Sequence, residues 1–176
     1  INVVESITDF TPASAGEPSI GVNTGSIGFT PYNVQKITSR LQYFYADTGE
    51  VATINALLGI GDLDGHQGVT IDSFANEIHG PAIAKDSNGV LRDKVDDTFG
   101  ASDEHGQIWF LQPNVSETTY TFYNPTNKEM HEIPGWNKDG VNDELNNSVP
   151  EQYVGGIDFA AKLPTPTHKF ENLTLK

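Results

Sequence analysis

The sequence predicts an all-β domain: an antiparallel β-sandwich of the lectin-like or jelly-roll-like kind, with long polar loops and little helix. Three observations carry this expectation. Apolar residues recur with a period of two rather than 3.6. Seventeen glycines and ten prolines, among many Asn, Asp, Thr and Ser, punctuate the chain at sandwich-like intervals. Hydrophobic residues at 36% and aromatics at 10% supply one sizeable core in 176 residues, even at a net charge of −14. Residues 1–176 are accordingly read as a single domain.

The elements follow in order. "NVVESITDF" opens as a strand and breaks at the loop-like "TPASAGEP". In "ITSRLQYFYAD", Ile37, Ser39, Leu41, Tyr43 and Tyr45 fall on one face and Thr38, Arg40 and Gln42 on the other, the pattern of a half-buried strand. Asp47 to Gly49 suits a tight turn into the strand "EVATINALLGIG". "GQIWFLQ", "TTYTFYN", "KEMHEIPGW", "GGIDFAAKL" and "KFENLTL" read as further strands, with Tyr120 and Phe122 on one buried face and Trp109 in the core. The segment Asp86 to Gly106 has no clear strand and reads as a loop excursion at one end of the sandwich. The one helical candidate, "NDELNNSV", is short.

Charge narrows the partners. Ten Lys plus Arg stand against twenty-four Asp plus Glu, a field that repels phosphate backbones and anionic lipid. Nucleic acid is not expected as a partner, and no apolar run approaches the ~18 residues of a membrane span. Divalent cations and glycans remain. The chain has no cysteine, in keeping with exported Gram-positive surface proteins and with a domain long enough to do without disulfides. The N-terminus reads at once as a strand, as expected of a mature product or an excised domain.

The stretch "GIGDLDGHQGVTIDSF" sets Asp62, Asp64 and Asp72 around a glycine-rich turn. A plain solvated turn would use the same residue types. Asp62 and Asp64, however, end an apolar strand, where burying carboxylates without a cation is costly. Calcium takes six to eight oxygens, and alternating Asp supplies them efficiently. Asp62 and Asp64 are therefore the expected ligands of a structural Ca²⁺, ahead of the acidic clusters "KVDDTFGASDE" and "WNKDGVNDE". The turn is not an EF-hand, since Ser73 stands where the bidentate Glu would be.

The run "RLQYFYADTGEVATINALLGIGDLDGHQGVTIDSF" resembles a segment of Gram-positive cell-wall adhesins, in which an aromatic-rich strand leads through a small apolar strand to a D-[IL]-D turn. The β-sandwich domains of the streptococcal antigen I/II family and of the glucan-binding protein C type are the relatives suggested, over roughly residues 37 to 123. This resemblance implies a non-catalytic, extracellular adhesin domain displayed on a cell wall, monomeric within a larger surface protein. It also implies a host or microbial glycan or glycoprotein as partner, and a structural calcium carried over to Asp62 and Asp64 only. Some such domains carry a Lys–Asn crosslink. Lys36 and Lys162 lie in or beside strands, without a partner that sequence can name.

Catalytic patterns are missing from the sequence. The five histidines form no H-E-x-x-H pattern, and there is neither a G-x-S-x-G elbow nor a phosphate-cradling loop. A sugar hydrolase or lyase would need two converging carboxylates, and no strand carries a close-spaced pair. A stalk domain without a ligand is the other alternative. For a ligand site, Trp136 in the loop "IPGWNKDG" is the expected sugar platform, with Asn137, Asp139 and Asp103 as hydroxyl partners. That expectation requires the loops 93–106 and 134–147 to meet at one end of the sandwich.

Overall fold

The computed structural model describes residues 1–13, 17–22, 29–63, 65–94, 103–126, 128–129 and 157–162, with backbone alone at 22, 29–30 and 157–162. Two antiparallel sheets dominate. The larger has six strands in the order β1 (Asn2–Pro12), β4 (Val34–Phe44), β11 (Glu117–Tyr123), β6 (Gly68–Ile71), β9 (Leu91–Asp93), β8 (Ile83–Lys85). The smaller has four, in the order β12 (Ile157–Lys162), β5 (Ile54–Ile60), β10 (Ile108–Val115), β7 (Asn76–His79). A separate two-stranded ribbon joins β2 (Ser19–Val22) to β3 (Phe29–Tyr32).

The pairing is nested. β4 pairs with β11, β5 with β10 and β6 with β9, while successive strands from β4 to β8 alternate between the two sheets. A long hairpin rolled in this way is the jelly-roll form of a β-sandwich. One hydrophobic cluster fills the space between the sheets: Ile37, Leu41, Val69, Leu91 and Phe122 come from the larger, and Ile54, Leu58, Ile60, Ile108 and Phe110 from the smaller. Because side chains alternate along a strand, burial of these residues turns their neighbours outward. Along β4 the burial alternates as its sequence pattern predicts, and Tyr120 and Phe122 share the buried face.

A polar tie crosses this core. The Tyr43 hydroxyl donates to Thr118 Oγ1 at 2.8 Å, and Thr118 donates to Gln112 Oε1 at 2.8 Å, so β4 and β11 are joined to β10 through buried groups. Each polar group thereby keeps a partner away from water, which spares the desolvation cost of an orphan.

Three expectations need correction. Trp109 is not in the core: Ile108 and Phe110 point inward, so Trp109 takes the outer face of the smaller sheet. Its indole lies face-on over Gly59 of β5, where three consecutive ring carbons would stand 2.5 to 2.7 Å from any added Cβ. The segment Asp86 to Gly106 is not wholly loop, since β9 joins the larger sheet and Glu104–Gly106 form a 3-10 turn. Finally, Lys128 and Glu129 are helical where a strand was expected. Thr126 Oγ1 accepts from Glu129 N at 3.2 Å and Glu129 Oε2 accepts from Thr126 N at 2.8 Å, the reciprocal cap of a helix start. The rest of that stretch, with "NDELNNSV" and "KFENLTL", lies outside the described residues.

Candidate functional site

Strand register assembles the site. Thr11 of β1 stands opposite Lys36 of β4, Lys36 opposite Tyr123 of β11, Tyr123 opposite Gly68 of β6, and Gly68 opposite Arg92 of β9. The next residues along four of these strands, Ile37, Phe122, Val69 and Leu91, are buried, so the row itself faces outward. Over it lies a groove of about 530 Å³, whose lining includes Lys36, Arg92, Tyr123, Gln35, Asn124 and Glu129. Such a volume suits a small ligand or one to two sugar rings.

Arg92 is held on several sides. Its Nε donates to Asp86 Oδ2 at 2.9 Å, one terminal nitrogen donates to His66 O at 3.2 Å, and the guanidinium carbon lies 5.3 Å from the centroid of the Tyr123 ring. Burial works against the charged form of Asp86. Hydrogen bonds from Arg92, Val90 N and Asn88 N outweigh it and hold the carboxyl below the usual aspartate range. Among the described residues two of the five guanidinium N–H donors are engaged.

Beneath the groove runs a buried polar network. Gln67 Nε2 donates to Asn124 Oδ1 at 3.1 Å, and Asn124 Nδ2 donates to Val34 O at 3.0 Å. Asp93 N donates to Gln67 O at 3.1 Å, and His66 Nδ1 donates to Asp93 O at 3.1 Å, which sets the histidine tautomer. His66, Gln67, Asp93, Asn124 and Thr126 are all buried. The turn that delivers His66 needs left-handed backbone at Gly65 (φ 51°) and His66 (φ 63°), which explains the glycine in "DLDGHQ". Glu129 also lines the groove, with its carboxylate occupied by Gln35 Nε2, Thr126 N and Thr126 Oγ1.

The residues expected from sequence fare unevenly. Asp62 is described, with φ 62° and a half-buried carboxylate that desolvation pushes above the usual aspartate range. No described residue forms a hydrogen bond or ion pair with that carboxylate. Asp64 lies outside the described residues, and among those described no three His, Asp or Glu side chains gather as a metal cluster. Asp72 closes a ladder, its Oδ1 accepting from Thr119 N at 3.1 Å. Asp103 caps the 3-10 turn: Oδ1 accepts from His105 N at 3.0 Å and from His105 Nδ1 at 2.7 Å, and these bonds, the backbone one first, hold its pKa down. Trp136, Asn137 and Asp139 lie outside the described residues.

Sequence reading missed the Lys36–Tyr123–Arg92 row, because its members sit on strands far apart in the chain. It also missed a smaller groove of about 350 Å³ on the opposite sheet, lined by Trp109, Ile78, His79 and Glu104. Alternation around Ile108 and Phe110 was the available signal for Trp109.

No known protein family matches the chain, and no curated protein or solved structure matches it either. Among the described residues no helix is long and apolar enough to cross a membrane.

Proposed function

We propose that this chain is a non-catalytic carbohydrate- or glycoprotein-binding domain of a cell-wall adhesin, and that its ligand lies in the groove over Tyr123. One observation carries the reading. A fixed arginine–tyrosine pair, with Lys36, Gln35 and Asn124 beside it, stands on a buried and hydrogen-bonded base. Such a base fixes donors and acceptors before the ligand arrives, which is what hydroxyl-rich ligands need if ordering costs are to stay small.

The groove favours binding over hydrolysis. Glycoside hydrolysis requires two converging carboxylates, whereas Glu129 is already occupied by Gln35 and Thr126. The net charge of −14 is compatible with a glycan partner and unfavourable for nucleic acid. A structural Ca²⁺ at Asp62 and Asp64 belongs to the same proposal. The half-buried, poorly solvated carboxylate of Asp62 supports it.

A glycan array probed with the wild-type domain and with Tyr123→Ala, each with and without EDTA, tests the function. The expected result is a defined set of bound glycans that Tyr123→Ala loses. Absence of binding to every glycan, with and without Ca²⁺, overturns it.

A further inference from the structure

Resting on the proposed glycan site, we infer that the groove selects carboxylate-bearing sugars, with the carboxylate seated between Lys36 and Arg92. The two cations flank one aromatic ring. Lys36 is the direct cross-strand neighbour of Tyr123 on β4. Arg92 reaches the same ring from the other side across Gly68, whose missing side chain leaves the space that the Arg92 stem occupies. Only ten residues of the whole chain are Lys or Arg, and two of them line this groove.

The two cations differ in how they are held. Arg92 is balanced on one side by Asp86. Lys36 has no carboxylate within ion-pair distance among the described residues, although the chain has twenty-four acids. Among the described residues three acids stand near the groove. Asp93 is buried beneath it, with Oδ2 accepting from His66 N at 3.5 Å. Asp86 is taken up by Arg92 and by the backbone amides of Asn88 and Val90. Glu129 has both oxygens engaged by Gln35 and Thr126. An incoming carboxylate would therefore meet the Lys36 ammonium, unpaired among the described residues, and the remaining N–H donors of a pre-positioned guanidinium, the geometry in which charge-assisted bonds are strongest. A neutral sugar would make hydrogen bonds there but leave the Lys36 charge uncompensated.

The test uses one oligosaccharide in two charge states: oligogalacturonate and its fully methyl-esterified form, titrated calorimetrically at low salt. The wild-type domain should bind the acid roughly tenfold more tightly than the ester. Lys36→Gln should weaken binding of the acid far more than binding of the ester, and so shrink that preference, with the melting temperature unchanged; added salt should weaken the acid form more than the ester. Equal binding of acid and ester, or a preference undiminished in Lys36→Gln, overturns the inference. If neither form binds while neutral glycans bind in a Tyr123-dependent way, acid selection fails and the glycan site stands. If no glycan binds at all, both readings fall.

Discussion

The guanidinium of Arg92 sits 5.3 Å from the Tyr123 ring although the two residues are two strands apart, because Gly68 between them carries no side chain. The stem of Arg92 occupies the space a Cβ at Gly68 would fill, 2.7 Å from Cγ. The pair is thus a product of register and of one glycine, not of sequence proximity.

Filling that gap should separate the pair. In Gly68→Val the new side chain would also meet Val90 Cγ1 at 2.8 Å and Leu91 O at 3.1 Å, so neighbours must shift as well as Arg92. The expected cost is ~1–3 kcal/mol of stability by chemical denaturation, as for other overpacked sites. The folded variant should lose glycan affinity by roughly tenfold. A folded Gly68→Val with wild-type affinity would show that the Arg92–Tyr123 pair is not part of the site.

Asp86 gives a pH dependence. Its folded pKa is lowered, so its contribution is fully present above the unfolded pKa of about 3.9 and is lost as pH falls from there through the folded value. Melts between pH 6 and pH 2.5 should therefore show wild type losing more stability below about pH 4 than Asp86→Asn does. Parallel curves would mean that the ion pair with Arg92 does not favour the folded state.

Asp62 has the opposite sign. A raised aspartate pKa means that ionisation opposes folding: the effect is absent below the unfolded pKa and grows as pH rises through the folded one. In EDTA at neutral pH, Asp62→Asn should melt at or above wild type, and Asn also tolerates the left-handed backbone at this position. In Ca²⁺ at a hundred times Kd, wild type should gain ~2.7 kcal/mol, or roughly 5–10 °C, and Asp62→Asn should gain nothing. Identical wild-type melts in EDTA and Ca²⁺ would remove the calcium from the proposal.

Much of the scaffold could be read from sequence. β4 alternates cleanly from Ile37 to Tyr43 and announces its own buried face. β7, β8 and β9 span only three or four residues, too short for a period to register. Trp109 sits in a strand whose two faces are both apolar, Ile108 and Phe110 against Trp109 and Leu111, so hydrophobicity alone does not choose between them. Only Gly59 across the pair makes room for the indole outside. The groove was the least legible part. Lys36, Gly68, Arg92 and Tyr123 become neighbours through register, which one chain's sequence does not state. The cap Thr126-x-x-Glu129 was legible in principle, as a helix start three residues apart.

Whether a glycan occupies the groove over Tyr123 can be read residue by residue in a backbone NMR titration of the domain with its best-bound oligosaccharide. A glycan seated there should give saturable shifts at Lys36, Gly68, Arg92, Tyr123 and Asn124, abolished in Tyr123→Ala. Shifts confined to Gly59, Ile78 and Trp109 on the opposite sheet, or binding unaltered by Tyr123→Ala, would contradict that placement.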